Sequence, residues 1–362
     1  MLDSDGNPVI SSTTFIPEDS SGSVDVVFTI DATTLGGKHI VAYETLEYNN
    51  VVLVIHADLN DDNQTVRVPE IGTTLTDDET RDHVGRVDGT IRLTDTVAYT
   101  GLVVGKTYTV TGILVNKDTG MWIIGSDGEP ISASTEFTAE RSSGFVDVEF
   151  DVNSVVLEGT TIVAFETVTY LDQPVAIHAD IEDEGQTVHL PSITTTATVG
   201  GSKTFLPADS ITLTDTITYS NLVPGRTYEL QGRLMTSAGV EFAPNGTPAV
   251  SVFRFVPETA DGSVDVTFVF YGKDLKNGDK LVVFEKLYLI EEDVDANGNV
   301  TERSILIATH EDLTDDGQTV TVTKPGIPST GETSSASFVI GIVCVIIGGV
   351  VAVIYLKKRK DQ

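Results

Sequence analysis

The sequence predicts an all-β chain of tandem antiparallel β-sandwiches that ends in one membrane-spanning helix. Three observations predict it. The first is an internal repeat: the stretch ending at Pro69 realigns without gaps on the stretch ending at Pro191, so that Glu44 recurs as Glu166, 122 residues on. Self-similarity at a fixed period marks tandem modules. The second is alternation. Val146, Val148, Phe150 and Val152 interleave with Asp147, Glu149 and Asp151, which gives a strand one apolar and one charged face. The third is the uncharged run from Phe338 to Leu356, long enough to cross a bilayer as a helix.

Residues 1–69 read as a repeat truncated at its N-terminus, and residues 70–190 and 191–324 as two complete ones. Gly22-Ser23-Val24-Asp25-Val26 recurs as Gly144-Phe145-Val146-Asp147-Val148 and as Gly262-Ser263-Val264-Asp265-Val266. Val41-Ala42-Tyr43-Glu44 recurs as Val163-Ala164-Phe165-Glu166 and Val282-Val283-Phe284-Glu285. The front half recurs only once: Thr94-Asp95-Thr96-Val97 returns as Thr214-Asp215-Thr216-Ile217. Short alternating runs between Gly, Asn and Asp turns predict immunoglobulin-like sandwiches of ordinary domain size. Pro69 and Pro191 fall at the joints, where they stiffen short linkers. Residues 325–362 hold Ile327-Pro328-Ser329-Thr330-Gly331, the span 338–356 and the basic tail 357–360. The basic cluster is expected to stay cytoplasmic, which puts everything before Ser337 outside.

Asp plus Glu number 54 against 22 Lys plus Arg, a formal charge of −32. A surface this acidic repels nucleic acid and anionic lipid. With 40% hydrophobic residues in alternating runs, the chain is not disordered. The one cysteine, Cys344, lies in the apolar run, so no disulfide holds the exterior part, although secreted domains often rely on them. Met1-Leu2-Asp3-Ser4-Asp5 has neither a basic nor an apolar leader region. The expectation is therefore that the sequence is the C-terminal part of a longer protein.

Both complete repeats carry the same polar set: Thr73, Asp95, Glu166, His178, Asp183 and Gln186, and then Thr195, Asp215, Glu285, His310, Asp315 and Gln318. The first repeat keeps only Glu44, His56, Asp61 and Gln64. Each Thr lies in a first strand and each Gln opens a last one, and such strands can lie side by side. Strand-end polar residues satisfied by backbone are the bland alternative. Against it, thirteen extra residues between Glu285 and His310 leave the set intact on both sides. A threonine hydroxyl needs a base, for which an imidazole oriented by a carboxylate is suited. A carboxamide needs a donor for its oxyanion, and crowding raises carboxylate pKa values, so Asp95, Asp183 or Glu166 can serve as a protonated donor.

The Val-Ala-Phe-Glu, His-Ala-Asp and Gln-Thr-Val segments resemble the "VaFE" or T-Q ester-bond domains of Gram-positive surface adhesins, over nearly all of residues 1–324. The resemblance implies that Thr73 joins Gln186 and Thr195 joins Gln318 with release of ammonia, once per domain and without turnover or cofactor. Thr74 and Thr196 are rival nucleophiles. It also implies no ester in the first repeat, whose sandwich is expected to be incomplete with an open edge. The order of Ile327–Gly331, apolar span and basic tail resembles a sortase sorting signal, with Ile327 where the usual form has leucine. That resemblance implies cleavage between Thr330 and Gly331 and transfer of Thr330 to the cell wall or a pilin. The protein then reads as a wall-anchored stalk, its partners being sortase, peptidoglycan or pilin, and a host ligand bound by a segment further upstream.

Four other readings compete with this one. A lysine–asparagine isopeptide needs a Lys in the first strand, and Glu70-Ile71-Gly72-Thr73-Thr74 has none. Asp293–Gly298 opens like a calcium loop, but Ser304 stands where the loop needs Glu. A hydrolase lacks a glycine-rich nucleophile turn. A surface module binding a host matrix protein or glycan is the alternative function, and Trp122, the one tryptophan, is its nearest aromatic candidate.

Overall fold

Alternating sequence becomes pleated strand wherever a partner strand is present. The computed structural model describes residues 1–324 apart from 3–5, 33, 295–297 and 299. The sorting-signal and membrane-span readings, at 327–331 and 338–356, lie outside the described residues, among which no helix is long and apolar enough to cross a membrane. The first repeat holds β1 (His39–Val41), β2 (Glu44–Tyr48), β3 (Val51–His56) and β4 (Thr65–Arg67). These form two separate pairs, β1 with β4 and β2 with β3.

The second repeat contains β5 (Glu70–Asp77), β6 (Thr90–Thr100), β7 (Thr107–Asn116), β8 (Ser132–Thr138), β9 (Gly144–Asn153), β10 (Thr161–Tyr170), β11 (Gln173–His178) and β12 (Thr187–His189). Its sheets are β5-β6-β9 and β11-β10-β7-β8, with β12 on β10. The third repeat contains β13 (Ser192–Thr198), β14 (Thr204–Phe205), β15 (Ile211–Ser220), β16 (Thr227–Thr236), β17 (Val250–Phe255), β18 (Gly262–Phe270), β19 (Lys280–Val294), β20 (Val300–His310) and β21 (Thr319–Val322). Sheet β13-β15-β18 faces a larger one ordered β14-β21-β19-β16-β17, with β20 on β19.

Each complete repeat is thus a two-sheet sandwich over its own core. Leu75, Leu93, Val97 and Phe150 meet Leu114, Ile162, Ala164 and Val168 in the second. Leu213, Ile217 and Phe268 meet Leu230, Leu287 and Val320 in the third. Each fully buried side chain of this kind contributes about 1.5–3 kcal/mol before conformational entropy is subtracted. The β2–β3 and β10–β11 hairpins close on two-residue turns with positive φ, Asn49–Asn50 and Leu171–Asp172, the twist that suits a tight hairpin. In the third repeat the matching hairpin runs on. Its ladder continues past Leu289↔Ile305 to Val294↔Val300, so the extra residues lengthen the hairpin; the calcium-loop reading falls in part on 295–297, outside the described residues.

Candidate functional site

Inward-facing strand positions carry the polar set. On β5 the pleat turns Ile71, Thr73, Leu75 and Asp77 inward and leaves Thr74 exposed. On β13 it turns Ile193, Thr195 and Ala197 inward and leaves Thr196 exposed. Of the rival hydroxyls, Thr73 and Thr195 therefore face the core. Asp95 takes an inward position of β6, between Leu93 and Val97, with no exposed surface. The register pairs Thr73 with Val97 and Leu75 with Asp95, so Thr73 and Asp95 are diagonal neighbours on one face, near enough for side chains to interact. Thr195 and Asp215 repeat this arrangement through Thr195↔Ile217 and Ala197↔Asp215.

The opposite sheet supplies the rest. Glu166 sits on β10 opposite Gly112 and His178, and Glu285 sits on β19 opposite Gly232 and His310. Gln186 ends a 3-10 turn, Glu184–Gln186, whose N-cap Asp183 accepts from the Gly185 N–H at 2.8 Å. Asp183 also meets His178 Nε2 at 3.0 Å, while His178 Nδ1 lies 3.2 Å from the Ile71 carbonyl. Both nitrogens of His178 are engaged away from Thr73. Through these contacts the imidazole ties the last-strand turn to the first strand.

Gln186 Nε2 donates to Glu166 Oε2 at 2.6 Å. Thr73 Oγ1, Gln186 Oε1, Glu166 Oε1 and both Asp95 oxygens are buried without a hydrogen-bond partner. Buried polar groups are nearly always paired, so a cluster of unpaired ones marks stored chemistry rather than stability. The Thr73 hydroxyl is close enough to both carboxyls to favour their ionised forms without reaching hydrogen-bond geometry to either. In the third repeat the carboxamide turns the other way. Gln318 Nε2 donates to the His310 carbonyl at 2.7 Å, and Gln318 Oε1 accepts from the Asp312 N–H at 3.1 Å. There Thr195 Oγ1, both Asp215 oxygens, both Glu285 oxygens and His310 Nδ1 are unpaired, while His310 Nε2 meets Asp315 at 3.3 Å.

Burial dominates the electrostatics. It pushes the carboxyls of Glu166 and Asp95 up, and the Asp95 charge raises Glu166 further. Burial also raises Glu285 to about 9, with the Asp215 charge adding to it, and raises Asp215 itself to about 7. In the third repeat Glu285 therefore keeps its proton at neutral pH and Asp215 is the easier of the two to ionise; in the second, burial raises both carboxyls together. An acid beside a carboxamide, next to a carboxylate beside a hydroxyl, can move a proton from the hydroxyl to a leaving nitrogen.

Sequence reasoning missed the glycines that make room. A Cβ on Gly112 meets Phe150 Cζ at 2.6 Å, and one on Gly232 meets the same ring atom of Phe268 at 2.5 Å as well as the Glu285 carboxyl. Mid-strand glycine at one register in two repeats, Thr111-Gly112-Ile113 and Gln231-Gly232-Arg233, was the available signal. Lys203 was missed as well. Its Nζ donates to the Gly317 carbonyl, and its charge favours ionised Asp215.

In the first repeat Gln64 Nε2 donates to Glu44, and His56 Nε2 meets Asp61 at 3.2 Å. Among the described residues, that half of the site stands assembled without a threonine or a strand aspartate across from it. Trp122 is exposed and lines an open groove of about 550 Å³ with Ile113, Pro130, Phe165 and Ile177.

Two sandwiches in series thus each bury a hydroxyl, a carboxamide and a carboxyl pair between the first strand and the turn that opens the last. The chain belongs to the family of the T-Q ester bond containing domain, which matches residues 1–68, 69–190 and 191–322. It is similar to a Mobiluncus mulieris adhesin structure containing intramolecular disulfide, isopeptide and ester bond cross-links, at 13% identity and a TM-score of 0.32, over 71% of this chain and 99% of that one. It is also similar to the C-terminal domain of the Streptococcus pyogenes antigen I/II-family protein AspA, at 10% identity and a TM-score of 0.30, over 71% and 100%. No curated protein matches it.

Proposed function

We propose that the second and third repeats each close an internal ester, Thr73 to Gln186 and Thr195 to Gln318, and that the chain is the stalk of a wall-anchored surface adhesin. The observation that carries the ester is the unpaired, buried Thr hydroxyl beside an aspartate in both repeats, with Glu166 against the Gln186 amide in the second. Asp95 or Asp215 takes the hydroxyl proton, and the oxygen adds to the Gln side-chain carbon. In the third repeat the Asp312 N–H is placed for the oxyanion. Glu166 or Glu285 then protonates the nitrogen, the C–N bond breaks and ammonia leaves. The event happens once per domain, as self-modification without turnover.

Such an ester closes a loop of roughly a hundred residues, which stabilises a domain by about 4–5 kcal/mol through the unfolded state. It serves where a disulfide would, in an exterior part that has no cysteine. Sortase would cleave between Thr330 and Gly331 and join Thr330 to peptidoglycan or a pilin. Intact-mass analysis of the full chain tests the ester. The expected mass is lower by two ammonia molecules, and a digest should yield Gln186 and Gln318 peptides bound to the Thr73 and Thr195 peptides. Full sequence mass in folded protein removes the reading.

A further inference from the structure

The thirteen-residue insertion of the third repeat is not used by the ester site. It lengthens the β19–β20 hairpin at the end of that repeat nearest the second, and its residues meet the β5–β6 connection there. Arg303, on the added part of β20, donates to the Glu79 carbonyl at 2.7 Å and the Thr80 carbonyl at 3.3 Å. The Val87 N–H donates to the Ile307 carbonyl at 2.8 Å. Arg226 pairs with Asp82 of the second repeat and, at 3.5 Å, with Glu291 of the added hairpin. Val84, from the same connection, is buried within the core cluster of the third repeat.

A second bracket lies beside the linker. Asn221 Nδ2 donates to the Leu190 carbonyl at 3.0 Å, and its Oδ1 accepts from Thr161 Oγ1 at 2.8 Å and meets His189 Nδ1 at 3.0 Å. The same register position in the second repeat is Gly101, as Ser192↔Ser220 matches Glu70↔Thr100. Both residues have positive φ, 59° and 77°, so the backbone there is the same and only the bridging side chain differs. The counterpart of Arg226 is Lys106, which lies over its own repeat's Tyr170. The corresponding hairpin of the second repeat stops at Tyr170↔Gln173.

We infer that the lengthened β19–β20 hairpin, with Arg226 and Asn221, is a clasp whose partner is the β5–β6 connection of the second repeat, and that it fixes the second and third repeats as one rigid body. The clasp lies beside the linker between Gln186 and Thr195, the stretch of backbone that neither proposed ester encloses. Contacts across it share any load that this stretch carries. The clasp itself uses no ester and stands independently of that chemistry.

Distance measurement between nitroxide labels tests it, in the full chain in detergent with Cys344→Ser and labels on Glu136→Cys and Val269→Cys, both exposed. A single narrow distance distribution is expected. Combining Asn221→Gly, Arg226→Ala and Arg303→Ala should at least double its width while the circular dichroism of the sandwiches is kept. A parent distribution already that broad, or a variant distribution unchanged, overturns the clasp. Should the triple variant lose its fold, Asn221→Gly alone, which copies Gly101, must still widen the distribution. An unchanged width there overturns it equally.

Discussion

The first repeat and the back half of the second share their motifs and their alternation and adopt different structures. Ser23-Val24-Asp25-Val26-Val27-Phe28 has the alternation of Phe145-Val146-Asp147-Val148-Glu149-Phe150, yet residues 9–30 form no strand while their counterparts form β8 and β9. Residues 42 and 43 break the first repeat's strand in two. Their counterparts, Ala164 and Phe165, are held in one continuous β10 by Leu114 and Ile113 of β7. Val66 is 61% exposed where Val188 is fully buried, and Phe28 is 38% exposed where Phe150 is 1%. Alternation specifies which face of a strand is apolar, but partner strands and an opposing sheet are what make the strand. The local turn is indifferent to this. Gln64 meets Glu44 and His56 meets Asp61 much as Gln186 meets Glu166 and His178 meets Asp183, because those contacts lie within one hairpin and the turn that follows it.

Supplying the first repeat with a front half should erase the difference. Fusing a second copy of residues 69–122 ahead of Met1 restores the 122-residue period. It should turn two ammonia losses into three and protect the amides of residues 9–30 from hydrogen exchange. Two losses with unprotected amides would mean that the comparison has missed a determinant within residues 1–68. Thr195→Ala works in the opposite direction by making a complete repeat chemically like the first. The expected result is one ammonia loss and a domain less stable by about 4–5 kcal/mol, a fall in melting temperature of about 15 °C at this size. An unchanged melting curve would separate the site from stability.

Gly112→Ala crowds Phe150 and costs about 1–3 kcal/mol if the core accommodates it. The second repeat should then lose its ester or form it slowly while the third keeps its own. Mass analysis of separated tryptic peptides reads this directly, and normal ester in the second repeat would show that the carboxyl does not need that space.

The smallest effect is on pH. Asp215 and Glu285 are raised to about 7 and about 9, above their unfolded values of about 3.9 and 4.3. The folded state therefore binds protons the unfolded state has released. The third repeat of Thr195→Ala should be most stable near pH 4 and weaken progressively toward pH 9, as its melting temperature across that range reads. For the ester reaction Asp215 must be ionised and Glu285 protonated. The rate in the unmodified third repeat should therefore peak between about 7 and 9 and fall on either side, followed by ammonia release after refolding.

Sequence alone determined the repeats, their strand content, the polar set of each and the family, because a period, an alternation and a spacing are properties of the chain itself. It left Thr73 and Thr74 undecided, offered His178 as a base without dividing the roles among the carboxyls, and passed over Gly112, Gly232 and Lys203. Those depend on which residues face each other across two sheets, and residues more than a hundred positions apart have no pattern in common until the sheets close. Only tertiary structure put Asp95 rather than His178 beside the hydroxyl, and turned the unexplained insertion toward the neighbouring repeat. The physical reason is the same in each case: a pleat has period two along the strand, but its partner is chosen by burial.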